Sequence, residues 1–88
     1  MKFIEGQYYY CDWGNTFSYI FQATSNLKEC DHIEIKNKLF YQKSGYFDSA
    51  WAKNTRLASQ EEIIWFELCK KKGRYVERPI IIFSEEIY

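Results

Sequence analysis

Apolar and polar residues alternate along the first half of the chain, and past Ala58 the period changes. From Thr16 to Thr24, Phe17, Tyr19, Phe21 and Ala23 fall on one side, and Ser18, Ile20, Gln22 and Thr24 on the other. That is the two-residue repeat of a strand, with one apolar and one mostly polar face. Gly6 to Trp13 alternates more loosely, is rich in Tyr8, Tyr9 and Tyr10, and predicts the strand before it. Gly14-Asn15 between these two runs predicts a tight hairpin. Ser25 to Glu29 is a polar connection. Asp31 to Lys36 alternates again, with Ile33 and Ile35 against His32, Glu34 and Lys36, and Asn37-Lys38 predicts a turn. Leu39 to Lys43 predicts a fourth strand, which Ser44-Gly45 ends. Tyr46 to Trp51 predicts either a short fifth strand or an ordered loop covering the end of a barrel. Ala52 to Ala58 leads into a helix.

Ser59 to Gly73 predicts that helix, against which the strands pack. Ser59 can accept a hydrogen bond from a free N–H of the first turn, and Glu62, three residues on, can reach back to complete a capping box. Glu61 and Glu62 place negative charge at the positive end of the helix dipole, and Lys70, Lys71 and Lys72 place positive charge at the other end. Gly73 suits the left-handed residue that closes a helix. Ile64, Trp65, Leu68 and Cys69 fall on one face, and Ile63 and Phe66 widen it. After Gly73 comes a link ending in Pro79. The apolar run Ile80 to Phe83 predicts a last strand, and Ser84 to Tyr88 a terminus. Together these elements predict an α+β domain spanning residues 1–88. It is either a small, strongly bent antiparallel sheet or an SH3-like or OB-like barrel, with one packed helix at 59–73 and a final C-terminal strand. A flat sheet with the helix on one face is the alternative.

Composition narrows the function classes. The chain has 88 residues, and 47% of them are apolar, enough for a compact core. Aromatic residues make up 20%, with eight Tyr, seven Phe and three Trp, an excess that favours a sheet. The formal net charge is zero, which argues against a dedicated DNA-backbone binder. Three cysteines, Cys11, Cys30 and Cys69, are an odd number and are expected to be reduced thiols of a cytosolic protein. Met1 to Gly6 turns polar too soon for a signal peptide, and no apolar run is long enough to span a membrane.

Candidate chemistry is sparse. Cys30 and His32 would share a strand face and could form a dyad or a metal-ligand pair, but a zinc site needs about four ligands and no second motif completes it. His32 is therefore read as an exposed strand residue. Glu61-Glu62 is accounted for by the helix N-terminus, and Glu85-Glu86 falls in the terminus. No catalytic, cofactor-binding or metal-ligating set is expected. Lys70, Lys71, Lys72 and Arg74 form a basic cluster that the helix dipole explains, or that could contact phosphate beside a stacking surface. The stronger signal is the aromatic surplus. Tyr8, Tyr10, Tyr41, Tyr46, Tyr75 and Tyr88 are the rings expected to reach the surface, where Tyr and Trp supply binding energy at low entropic cost.

The stretch from Arg56 to Phe66, R-L-A-S-Q-E-E-I-I-W-F, with Cys69, Gly73 and Tyr75-Val76 after it, resembles a segment in short uncharacterised proteins of bacteriophages and prophages. Gly6, Tyr8 to Tyr10 and Ser18 to Phe21 are similar in placement. The resemblance implies an accessory protein acting in a bacterial cytoplasm or in a virion. The expected function is a non-enzymatic protein-binding module, an inhibitor of a bacterial defence system or host complex in the manner of anti-CRISPR proteins. It would bind through Tyr8, Tyr10, Tyr41, Tyr46 and Tyr75, with Lys70, Lys71, Lys72 and Arg74 at the rim. A single-stranded nucleic-acid or nucleotide binder that uses aromatic stacking is one alternative. A self-associating structural component of the virion is the other.

Overall fold

The computed structural model describes residues 3–12, 18–47 and 54–80. Five strands run in chain order as β1 (Tyr8–Asp12), β2 (Ser18–Gln22), β3 (Cys30–Glu34), β4 (Leu39–Gly45) and β5 (Thr55–Leu57), followed by helix α1 (Gln60–Lys72). They form one antiparallel sheet in the order β4-β3-β2-β1-β5. The sheet is open, with β4 and β5 at its two edges, so the architecture is α+β with one helix laid on a sheet and not a closed barrel. Among the described residues no helix is long and apolar enough to cross a membrane.

The register lines up two rows of side chains across all five strands. Arg56, Tyr10, Ile20, Ile33 and Phe40 form one row, and Leu57, Tyr9, Phe21, His32 and Tyr41 form the other. Neighbours in a sheet row share a face. The first row lies under α1, where Ile20, Ile33, Trp65, Phe66 and Cys69 are buried together, flanked by Tyr8, Tyr10, Ile35, Phe40, Tyr75 and Val76. The second row faces the other way. There Tyr9, Cys11, Phe21, Ala23, Cys30 and Phe47 are buried, with Phe3, Tyr19 and Leu27 packed against them. Phe47 stacks flat on Phe21 at 4.0 Å between ring centres. The apolar face of β2 is therefore turned away from the helix. Ile20, on its mostly polar side, lies at the centre of the helix core.

The helix begins and ends as its sequence predicts. Ser59 Oγ accepts from the Glu62 N–H at 3.2 Å, and Glu62 Oε1 accepts from the Ser59 N–H at 2.7 Å. Gly73 takes φ 72° and sends its N–H back to the Cys69 carbonyl at 2.8 Å. The buried stripe is Glu62, Trp65, Phe66 and Cys69, rotated from the expected one, and Ile64 is exposed. A carboxylate can sit in that stripe because Arg56 forks onto it at 2.9 Å from each terminal nitrogen.

Two other expectations are corrected. Ser44-Gly45 does not end β4, which runs on to Gly45 through a bulge. Three residues, Gln42 to Ser44, lie opposite Asp31 alone, and Lys43 takes φ 52°. The strand after β4 is Thr55–Leu57, in the stretch expected to be a lead-in; Tyr46 and Phe47 belong to no strand. Of the expected last strand, Ile80 to Phe83, only Ile80 is described, in no strand and 93% exposed, and 81–83 lie outside the described residues. Gly14-Asn15, Phe17, 48–51 and 81–88 lie outside the described residues, although β1 and β2 pair as the predicted hairpin requires.

Candidate functional site

Among the described residues the exposed aromatic side chains are Tyr41, on the edge strand β4, and Tyr46, just after it. Tyr41 is 37% exposed and stacks on His32 of the neighbouring strand, with ring centres 4.9 Å apart and planes 22° from parallel. Leu39 stands two residues away on the same face and is exposed. Tyr46 follows the strand, is 59% exposed, and has the Lys28 ammonium 5.9 Å from its ring centre.

His32 holds this patch from behind. It is only 9% exposed, which corrects the expectation of a surface histidine. Tyr19 and Phe47 meet its ring edge-on at 5.9 and 5.5 Å. Gly45 allows the close fit, since a Cβ there would stand 2.6 Å from His32 Nδ1 and 2.7 Å from the Phe47 ring. Burial lowers the His32 pKa below its ordinary value, against opposing contributions from the Cys30 carbonyl, Glu34 and Asp31. A neutral ring is the form that stacks without desolvating a charge.

Asp31 braces the bulge. One carboxylate oxygen accepts from the Lys43 N–H at 2.8 Å, and the other lies 3.6 Å from the Lys70 ammonium on α1. The irregular edge strand is thus tied through a single side chain to the helix on the opposite face.

The expected binding residues divide between the two faces. Tyr8 and Tyr10 are half-buried on the helix side. The Tyr8 hydroxyl donates to Glu67, and that bond, with burial, raises its pKa to about 12. Tyr10 lies under the Arg56 guanidinium at 4.3 Å, and Tyr75 meets Trp65 edge-on at 5.8 Å. These three rings serve the core more than the surface. Tyr41 and Tyr46 are the two of the set that are exposed, and Tyr88 lies outside the described residues. Lys70 is engaged by Asp31 and by Gln22 at 3.0 Å. Lys71, Lys72 and Arg74 are exposed, and Arg74 also donates to the Tyr75 carbonyl at 3.2 Å. This basic cluster belongs to the helix face, whereas Tyr41 is on the other. The two are not brought together into one surface. Leu39 and the seat of Tyr41 on His32 were not among the expected site features. Leu39 stood in the expected strand, but nothing in its pattern marks an edge.

The remaining candidates are structural. The Cys30 thiol lies 3.6 Å from Thr24 Oγ1, while His32 Nδ1 lies 3.3 Å from the Cys30 carbonyl, so the pair makes no dyad. All three cysteines are buried free thiols. Burial pushes the Cys69 thiol up, away from the reactive thiolate, although the Val76 backbone and Arg74 act in the other direction. Among the described residues no group of three or more His, Cys, Asp or Glu side chains converges on a metal position. An open groove of about 350 Å³ is lined by Tyr10, Asp12, Asn54, Thr55 and Arg56, and its arginine is committed to Glu62.

Comparison of the chain with family models, with curated proteins and with solved structures finds no match.

Proposed function

We propose that the protein is a binding module that docks a partner protein on the β4 edge through Tyr41, Leu39 and Tyr46. The observation that carries this reading is the stacking of exposed Tyr41 on buried His32. A ring already held in place loses little side-chain entropy on binding, which is what distinguishes an interface anchor from a surface tyrosine. The resemblance of the helix segment to phage accessory proteins supplies the class of partner, a protein of the bacterial host whose action the binding would inhibit. The separation of the basic cluster from the exposed rings favours a protein partner over a stacked single strand of nucleic acid.

The test is affinity capture from a bacterial lysate treated with nuclease, comparing the native chain with Tyr41→Ala and Tyr46→Ala. The expected result is a stoichiometric protein that both substitutions deplete while the melting temperature stays within a few degrees. Capture that survives both substitutions, or that vanishes with nuclease, overturns the reading.

A further inference from the structure

We infer that the β4 edge takes an extended, acidic polypeptide segment, which adds beside Leu39 to Gln42 as a sixth strand; this rests on the protein-binding reading above. The outer side of an edge strand carries backbone N–H and C=O groups with no partner in the sheet, and these match another peptide backbone. The residues of β4 from Leu39 to Ser44 are exposed except for half-buried Phe40, and among the described residues no strand pairs with this edge.

Charge selects the occupant. From Ile35 to Phe47 the chain holds Lys36, Lys38 and Lys43 and no Asp or Glu. The neighbouring carboxylates are engaged within the fold: Asp31 with the Lys43 N–H and Lys70, and Glu34 with Asn37. Among the described residues Lys38 has one ion pair, to Glu77 at 3.6 Å, in which both side chains are largely exposed and which is therefore worth little. A second copy of the chain would bring an equally basic edge against this one, and the bulge at Lys43 would interrupt the pairing. Lysines and bulges are devices that keep edges from pairing with themselves. They do not explain why Leu39, Tyr41 and Tyr46 are left exposed beside them. An extended segment carrying both acidic and apolar residues satisfies both features, because its apolar side chains would meet Leu39 and Tyr41 while its carboxylates meet Lys38 and Lys43, which flank them in the chain.

A random octapeptide library panned on the full chain tests this, with a Lys38→Glu/Lys43→Glu variant panned in parallel. The expected selection is rich in Asp and Glu together with β-branched or aromatic residues. A synthetic peptide of the selected consensus should shift the amide resonances of Leu39 to Lys43. Its affinity should fall at least tenfold for the charge-reversed variant and fall with added salt. Lys38→Gln/Lys43→Gln repeats the comparison should charge reversal disturb the bulge. No enrichment, a consensus lacking acidic residues, or shifts confined to other strands overturns the inference. So does an oligothymidylate that binds the same amides more tightly than the selected peptide. A lysate partner lost with Tyr41→Ala but retained by the charge-reversed variant leaves the protein-binding reading standing and overturns this one.

Discussion

Trp65 is buried in the helix core and sends its indole N–H to the Val76 carbonyl at 2.8 Å. Replacing it with Ala empties a core site and is expected to cost about 3–5 kcal/mol, enough to unfold so small a domain in a thermal melt. Trp65→Phe keeps most of the ring and loses the donor, so a cost nearer 1 kcal/mol is expected. Gly45 is a second single-residue constraint. A Cβ there would be forced into His32 and Phe47, and Gly45→Ala should destabilise by about 1–3 kcal/mol in chemical denaturation. His32 contributes a pH dependence near neutrality. Its folded-state pKa is lowered below the ordinary 6.5, so below that value the unfolded chain binds a proton that the folded one resists. Stability from this group is complete above pH 6.5 and falls as the pH drops through 6.5 toward the folded pKa. Melting temperatures measured from pH 7.5 to 5 should decline, and His32→Asn should flatten that decline. The burial of His32 could not be read from the chain. Alternation places it opposite Ile33 and Ile35, on a side that looked polar, and Tyr19, Tyr41, Gly45 and Phe47, all from other parts of the chain, turn that side into a core.

At the scale of an element, α1 illustrates how far local rules reach. Its cap, charge gradient and C-terminal glycine are satisfied within a few residues of each end, so its limits were legible before folding is considered. Its buried stripe was not, because Glu62 joins it only when Arg56, on a strand paired to β1, supplies the guanidinium. Burial raises the cost of the Glu62 carboxylate, but hydrogen bonds from Arg56 and Ser59 outweigh it and hold its pKa below the ordinary 4.5. Stability from Glu62 is therefore present above pH 4.5 and is lost as the pH falls below it, a window separate from that of His32. A double-mutant cycle with Arg56→Met and Glu62→Gln is expected to show a coupling of about 1–3 kcal/mol. A coupling near zero would mean that the fork is ornamental. Ser59→Ala should cost about 1 kcal/mol, with helicity lost at the first turn.

For the whole molecule, the open sheet sets the hazard as well as the proposed use. Its edges pair with nothing among the described residues, and β4 is guarded by lysines and a bulge. Replacing Lys38 and Lys43 with Asn, which is uncharged and tolerates the positive φ of both positions, should leave the fold intact and raise self-association, seen as a larger mass in light scattering. A strictly monomeric double variant would show that the lysines are not what keeps copies apart. By itself the sequence determined the class of structure, a set of short antiparallel strands and one capped helix, because alternation, turns and caps are local and each residue carries its own share of the signal. Only the tertiary structure decided which side of β2 meets the helix, that Thr55 to Leu57 forms an edge strand, and that Tyr41 rests on His32 while Tyr8, Tyr10 and Tyr75 turn toward the core. Those outcomes depend on strand order and on contacts between residues far apart in the chain, and no local pattern encodes the neighbour that a side chain will meet.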